Sequence, residues 1–373
     1  MTVAFQPRGL YLVVAFGILA AAAVIFILTA GQGTGFWHDD CDFLHHRSLT
    51  DPWGLFIPHN DHAVVLPAIA YRAVADVAGT GSYMPFLALV QVAHIATAAG
   101  LFAVLQQRSA WLALGAAALL LFLGSGADNL FWAFQITFLG STAFGVAAIW
   151  SADRDRWPLA GVLLVGSVFC SLVGVAFVVA ASAIGASRRR REAWWLALPT
   201  VLLSAWWWIF ARSWERPPDW ATYAYGSPLS GDSWSRVPAF VFEAALRSVA
   251  HISGLNLGLV FLVMVIGIAT ALIALRRGWR PSPLQLGALL GFLAFATMVG
   301  VIRAANAIDF GSRYQYVAAV FGLLMLPTVR PGRLPTAAAV LLLSIALVSN
   351  ISAFGPAQEK WTARADGILA CQP

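Results

Sequence analysis

Apolar runs separated by short polar segments fill almost the whole chain. A transmembrane α-helix needs about 20 mainly apolar residues, and nine runs lie near that length. These candidate spans are residues 10–30, 83–105, 111–124, 131–150, 194–211, 254–275, 284–302, 314–328 and 335–351. The pattern predicts an all-α, polytopic membrane protein. We expect the first run to be retained as a helix rather than removed as a signal peptide.

The apolar stretch 157–186 differs from the others because basic flanks lie at both of its ends. Arg154 and Arg156 precede it, and four consecutive arginines at 188–191 follow it. Arginine-rich loops favour the cytoplasmic side of a membrane, so both ends are expected there. The stretch should therefore enter the membrane and return as two short helices, with a turn near residues 170–174.

The spans total about 11 when this pair is included. If the N-terminus is cytoplasmic, the basic loops all fall inside, and of the 17 acidic residues only Asp153, Asp155 and Glu192 accompany them. The sequence thus predicts a multi-pass protein of the cell membrane whose polar chemistry lies on the outer face.

Two outer loops, residues 31–82 and 212–253, are the longest polar connections. Each contains an amphipathic stretch, 62–77 and 233–250, in which charged residues interrupt an apolar pattern. We expect these stretches to form helices that lie along the outer membrane surface. Neither loop is large enough for an independent fold, so residues 1–373 should form a single transmembrane domain.

The composition changes this picture little and excludes some classes. The chain has 60% hydrophobic and 11% charged residues, with a mean hydropathy of +0.77, which excludes a water-soluble globular protein. Its net charge of +6 comes mostly from the inner arginines. The charge therefore indicates orientation and membrane-lipid contact, not nucleic-acid binding.

The first outer loop has an unusual density of acids and histidines. Five of the 17 acidic residues lie between residues 31 and 61, and the segments 37–42 and 58–62 also carry histidines. Charged groups beside a membrane are costly and are typical of functional sites. We interpret this loop as catalytic, with Asp39 and Asp40 as candidate acid–base residues; a solvated loop or a helix cap is the alternative.

The layout resembles the glycosyltransferase C superfamily, the integral membrane enzymes that use polyprenyl-phosphate sugars. A first helix is followed by a long outer loop with an acidic pair, a surface helix and many further spans. The segments that carry the resemblance are WHDD at 37–40, PHNDH at 58–62, DNLFWAFQ at 128–135 and SRYQY at 312–316. The richness in Ala, Arg and Trp is similar to an actinobacterial-type branch of the superfamily.

This resemblance implies a polyprenyl-phosphate sugar as donor and a glycan, lipid or protein as acceptor. It favours the first acid of the pair, Asp39, slightly over Asp40 as the base. The departing phosphate needs cationic stabilisation, and Arg303 and Arg313, with the hydroxyl of Tyr314, are suited to bind it. Interfacial arginines also commonly reach lipid headgroups, which is the alternative for this pair.

Four further side chains are candidates for substrate binding: His59, His62, Asp128 and Gln135. His59 and His62 could instead ligate a divalent cation together with Asp40 or Asp39, or only make surface hydrogen bonds. Asp128 and Gln135 are expected at an outer hairpin. There they could bind a sugar hydroxyl, or they could only cap helices.

Two other functional classes stay open. A lipid or solute transporter would also be polytopic, although transporters usually place polar residues at mid-membrane in repeated halves. A metal-dependent membrane hydrolase would use the same His and Asp cluster. A disulfide between Cys41 and Cys371 is allowed, because both cysteines are expected outside.

Overall fold

The computed structural model describes residues 7–60, 62–214, 231–303, 310–326 and 333–367. Over these residues the fold is helical and contains no strand. The α-helices are α1 Pro7–Ala30, α2 Asp39–His45, α3 Val65–Ala78, α4 Met84–Leu105, α5 Ala110–Leu121, α6 Asp128–Phe131, α7 Ile136–Asp153, α8 Trp157–Cys170, α9 Gly174–Ser187, α10 Ala197–Trp206, α11 Gly231–Ser253, α12 Leu257–Arg276, α13 Pro283–Arg303, α14 Ser312–Leu324, α15 Arg333–Ser352 and α16 Phe354–Gly367. The all-α prediction is confirmed.

Seven helical segments of the described residues are long and apolar enough to cross a membrane. They are Leu10–Ala30, Met84–Leu105, Ala133–Asp153, Arg191–Ala211, Leu257–Arg276, Pro283–Arg303 and Ala337–Ala365. Three shorter apolar helices, α5, α8 and α9, accompany them. The chain thus has the helices of a multi-pass membrane protein.

The stretch 157–186 forms two short helices, α8 and α9, with a turn at residues 171–173, as its basic flanks predicted. The two helices can approach closely because Gly174 lies directly against the backbone of Ser167 and Val168. A Cβ at that position would collide with the facing backbone, so the sharp reversal requires glycine.

Two predicted spans are shorter in the structure. The helix expected at 111–124 ends at Leu121, and a 3-10 turn follows at Gly124–Gly126. Gly124 lies against the carbonyl of Asn350 on α15, a contact that excludes a side chain. The helix expected at 314–328 ends at Leu324, and its expected last residues lie outside the described residues.

Both predicted amphipathic stretches are helical. The first, α3, carries the ion pair between Arg72 and Asp76 at 2.8 Å. The second, α11, carries an ion pair between Glu243 and Arg247 at 2.6 Å. These pairs at i, i+4 stabilise the helical conformation. Their placement along a membrane surface stays a prediction.

The last helix, α16, folds back onto the connection that follows α1. It packs against α1, α6 and α15. Gly33, with φ of 86°, and Gly35 lie against Thr362 and Ala365 of α16. Because this connection leads directly into the segment with Trp37 and Asp39, the packing positions α16 beside the loop that follows α1.

Candidate active site

One cavity of about 550 Å³ gathers most of the predicted site residues. Those that line it are Asp39, His59, His62, Asp128, Gln135, Arg303, Arg313 and Tyr314. They come from segments separated by up to 275 residues in sequence, since the first is at 39 and the last at 314. Of the residues proposed as a site, Asp40 alone lies outside the cavity lining.

Asp39 begins α2 and its side chain reaches the cavity. His38, with φ of 47°, immediately precedes it, and the imidazole nitrogens of His38 and His59 lie 3.6 and 3.4 Å from its carboxylate. Burial raises the pKa of Asp39, but the hydrogen bonds and charges of the two histidines outweigh burial and hold that pKa well below its usual range. Asp39 is therefore an ionised carboxylate at neutral pH.

Asp40 points the other way, into the protein. Its carboxylate accepts hydrogen bonds from the backbone N–H of Trp37 and from the hydroxyl of Tyr71, both at 2.8 Å, and the side chain is fully buried. Burial raises the pKa of Asp40 to about 7, although the bonds to Trp37 and Tyr71 oppose that change. Asp40 thus joins α2 to α3 and fixes the segment that presents Asp39.

Arg47 organises the loop that follows α2. Its buried guanidinium donates hydrogen bonds to the carbonyls of Leu55 and Ile57 at 3.2 and 2.9 Å. Farther along, the backbones of His59 and His62 exchange two hydrogen bonds, which forms a tight turn. Because the loop is held in this way, His59 is buried against α2 and reaches both Asp39 and Asp42.

Asp39, Asp42 and His59 form a group that can hold a metal ion, since their ligand atoms lie within 4.8 Å of one another. The expected ligands were His59 and His62 with Asp39 or Asp40. Of these, Asp39 and His59 belong to the group, Asp42 was not expected, and Asp40 and His62 are not part of it. The carboxylate of Asp39 lies beside Nε2 of His59, and the carboxylate of Asp42 lies beside Nδ1 of the same ring. Only one ring nitrogen can therefore join the carboxylates around an ion.

His62 lines the cavity with its Nδ1 buried and without a hydrogen-bond partner. Burial is the largest cause that lowers the pKa of His62, and together with the charges of His59, Arg313 and Arg303 it brings that pKa to about 4. The imidazole is therefore neutral at pH 7. A neutral imidazole can hydrogen-bond a sugar hydroxyl without repelling the arginines beside it.

Arg303 and Arg313 flank residues 304–309, which lie outside the described residues. Arg303 is the last residue of α13 and Arg313 belongs to the first turn of α14. Tyr314 is buried next to them, and the Arg313 guanidinium lies 5.0 Å from the centre of its ring. The predicted trio is brought together at the cavity.

Asp128 and Gln135 both line the cavity but have partners within the protein. The carboxylate of Asp128 accepts bonds from Nζ of Lys360 at 2.7 Å and Nε1 of Trp361 at 2.9 Å. Gln135 accepts a bond from the amide of Asn129 at 3.1 Å. Asp128 thus fastens α16 to α6.

Three cavity residues on α16 were not predicted: Lys360, Trp361 and Arg364. Lys360 and Arg364 are four residues apart, so they lie on one face of the helix, and Trp361 lies next to Lys360. This spacing can be read from the sequence. An apolar wall completes the cavity and includes Phe138 on α7 and Met298 on α13. The site therefore combines carboxylates, cations and an apolar surface.

Comparisons with protein-family profiles, with curated protein sequences and with solved structures find no match for this chain.

Proposed function

We propose that the protein is an integral membrane glycosyltransferase that moves a sugar from a polyprenyl-phosphate donor to a cell-envelope glycan, lipid or protein. One observation carries this proposal: a single cavity holds an ionised carboxylate, Asp39, two arginines, Arg303 and Arg313, and an apolar wall. A lipid-phosphate sugar has an apolar chain, a phosphate and a sugar, and each has a suitable surface here.

The proposed step is a direct displacement at the anomeric carbon of the sugar. An acceptor hydroxyl attacks this carbon and its proton passes to Asp39, while the bond from the carbon to the phosphate oxygen breaks. The leaving polyprenyl phosphate takes the bonding electrons, and the arginines stabilise its charge. Asp39 is favoured over Asp40 as the base because Asp39 lines the cavity, whereas Asp40 is bonded to Trp37 and Tyr71 beneath it.

A divalent cation, if bound, would be held by Asp39, Asp42 and His59 and would supply a positive charge near the reacting groups. That cluster is also the observation that favours the second candidate, a metal-dependent membrane hydrolase. The apolar wall and the arginines favour the transferase, because hydrolysis of a small soluble substrate requires neither.

We place the cavity on the outer face of a cell membrane. Cys41, on α2 beside the cavity, is disulfide-bonded, which is typical of oxidising compartments outside the cytoplasm. Its expected partner, Cys371, lies outside the described residues. The arginine-rich ends of α7, α9 and α12 support the same orientation, with about 11 spans and a cytoplasmic N-terminus.

Thiol labelling tests this orientation. An impermeant reagent applied to intact cells should label Gly35→Cys and should not label Gly278→Cys, because the two positions are expected on opposite faces. Labelling of residue 278 from outside would contradict the placement of the cavity.

A transfer assay tests the activity. Purified protein in detergent or vesicles is incubated with polyprenyl-phosphate sugars carrying a labelled hexose or pentose, together with cell-envelope acceptors. We expect release of polyprenyl phosphate that depends on an acceptor. Release of free sugar to water, with loss of activity after chelation, would support the hydrolase instead.

A further inference from the structure

Arg364 extends from α16 into the cavity wall between two tryptophans. Its guanidinium carbon lies 4.4 Å from the ring centre of Trp37 and 4.7 Å from that of Trp361. The two indole rings are nearly perpendicular, with their centres 5.7 Å apart. Such aromatic contacts orient a guanidinium and remove water from it without neutralising its charge.

The neighbouring cation on the same helix has a different environment. Lys360 forms an ion pair with Asp128 at 2.7 Å. Among the residues that the structure describes, Arg364 makes no salt bridge and no hydrogen bond, although it is only partly exposed. Its hydrogen-bond donors are therefore available to a ligand in the cavity.

Arg364 also differs in position from the arginine pair assigned to the donor phosphate. Arg303 and Arg313 belong to α13 and α14. Arg364 instead contacts Trp37, which is two residues before Asp39. Arg364 therefore places a cation beside the segment that carries Asp39, in addition to the cations on α13 and α14.

We propose that Arg364 binds a second anionic group, distinct from the phosphate that Arg303 and Arg313 hold. A guanidinium binds a phosphate or carboxylate through two parallel hydrogen bonds. The group is either the second phosphate of a diphosphate-linked donor or an acidic group of the acceptor, such as a uronate. The inference rests on the proposed function only in taking lipid phosphate as the first anion.

Binding measurements on the purified full-length protein test this proposal. The probes are polyprenyl monophosphate, polyprenyl diphosphate, a glucuronate-containing oligosaccharide and its neutral counterpart. The variants are Arg364→Gln and Arg364→Lys, and Arg280→Gln is the matched control, because it removes an exposed arginine that does not line the cavity. Thermal unfolding of each variant checks that α16 stays folded.

We expect Arg364→Gln to lower the affinity for the diphosphate or for the acidic oligosaccharide about 10-fold, while monophosphate affinity stays unchanged. Arg364→Lys should lose less of this affinity, because lysine keeps the charge but not the paired donors. Loss for the diphosphate alone identifies the donor as the source, and loss for the acidic oligosaccharide alone identifies the acceptor.

Three results would overturn the proposal. The first is unchanged affinity of Arg364→Gln for both acidic probes, and the second is no binding of either probe by the unmodified protein. The third is an equal loss for all probes, which is expected if Arg364 only holds α16 in place. Failure of the proposed function has a different outcome: the unmodified protein neither binds the monophosphate nor transfers sugar, while the effect of Arg364→Gln on an acidic probe persists.

Discussion

Charged residues cluster at the two ends of α7 in contrasting ways. At its C-terminal end, Asp153 and Asp155 are paired with Arg188 and Arg190, and the Asp155–Arg190 distance is 2.7 Å. At the other end, which borders the cavity, Asp39 lies beside histidines and Arg364 lies on tryptophan rings. Both clusters contain aspartate and arginine: Asp155 and Arg190 are paired with each other, whereas Asp39 and Arg364 each contact other side chains.

This difference separates a structural role from a binding role. Paired charges neutralise each other and fix the ends of α7 and α9. Carboxylates and cations that line a cavity from different elements instead provide surfaces for a ligand with several kinds of group. The comparison predicts that substitutions at the cavity change activity, and that matched substitutions at the paired cluster do not.

The largest effect is expected at Asp39. Asp39→Asn removes the proposed base and should lower sugar transfer about 100-fold or more, because general base catalysis contributes that order. Asp155→Asn is the control from the paired cluster and should leave transfer unchanged. Initial rates with labelled donor measure both variants, and equal rates would exclude Asp39 as the base.

Asp40 should matter more for stability than for chemistry. Asp40→Ala leaves the N–H of Trp37 and the hydroxyl of Tyr71 without their buried acceptor, which should cost about 2–3 kcal/mol of unfolding free energy. Thermal or denaturant unfolding in detergent measures this loss. A variant as stable as the original protein would exclude Asp40 as the anchor of this segment.

The carboxyl of Asp40 should also make the stability of the folded protein depend on pH. Its pKa in the folded protein is raised from 3.8 to about 7, so within that window the folded state keeps a proton that the unfolded state has released. Stability should therefore fall as the pH rises through this window. Asp40→Asn should reduce this slope, and the comparison of the two unfolding curves separates Asp40 from other titrating groups.

Smaller effects are expected at the arginines of α13 and α14. Arg303→Lys and Arg313→Lys keep the charge but lose the planar pair of donors, so donor affinity should fall about 5-fold to 10-fold. Arg190→Lys in the paired cluster should leave it unchanged. If both cavity variants bind donor normally, these arginines contact lipid headgroups instead.

The smallest effect is expected at the ion pair that joins α16 to α6. Lys360 and Asp128 form a partly exposed ion pair, and such pairs contribute about 1 kcal/mol or less. Lys360→Met should therefore lower stability only slightly. A double-mutant cycle with Asp128→Asn measures the coupling, and a coupling near zero would leave Trp361 as the main partner of Asp128.

Sequence patterns predicted the helices better than their ends. The basic flanks of residues 157–186 correctly predicted α8 and α9, because arginines fix the direction in which a chain enters a membrane. The end of α5 at Leu121 could not be predicted, since it depends on the approach of Asn350 to Gly124. That contact joins residues more than 200 positions apart.

Local sequence features were enough to predict an all-helical, multi-pass membrane protein and most of the residues proposed here that line the cavity. Apolar length and arginine placement depend on local composition, and so does the density of acids in the first loop. Which of the two acids faces the cavity depends instead on tertiary packing. Asp39 and Asp40 are adjacent in sequence, but successive side chains on a helix point in different directions, and the packing of α2 against α3 buries Asp40. The return of α16, which brings Arg364 to Trp37, likewise depends on contacts between distant segments.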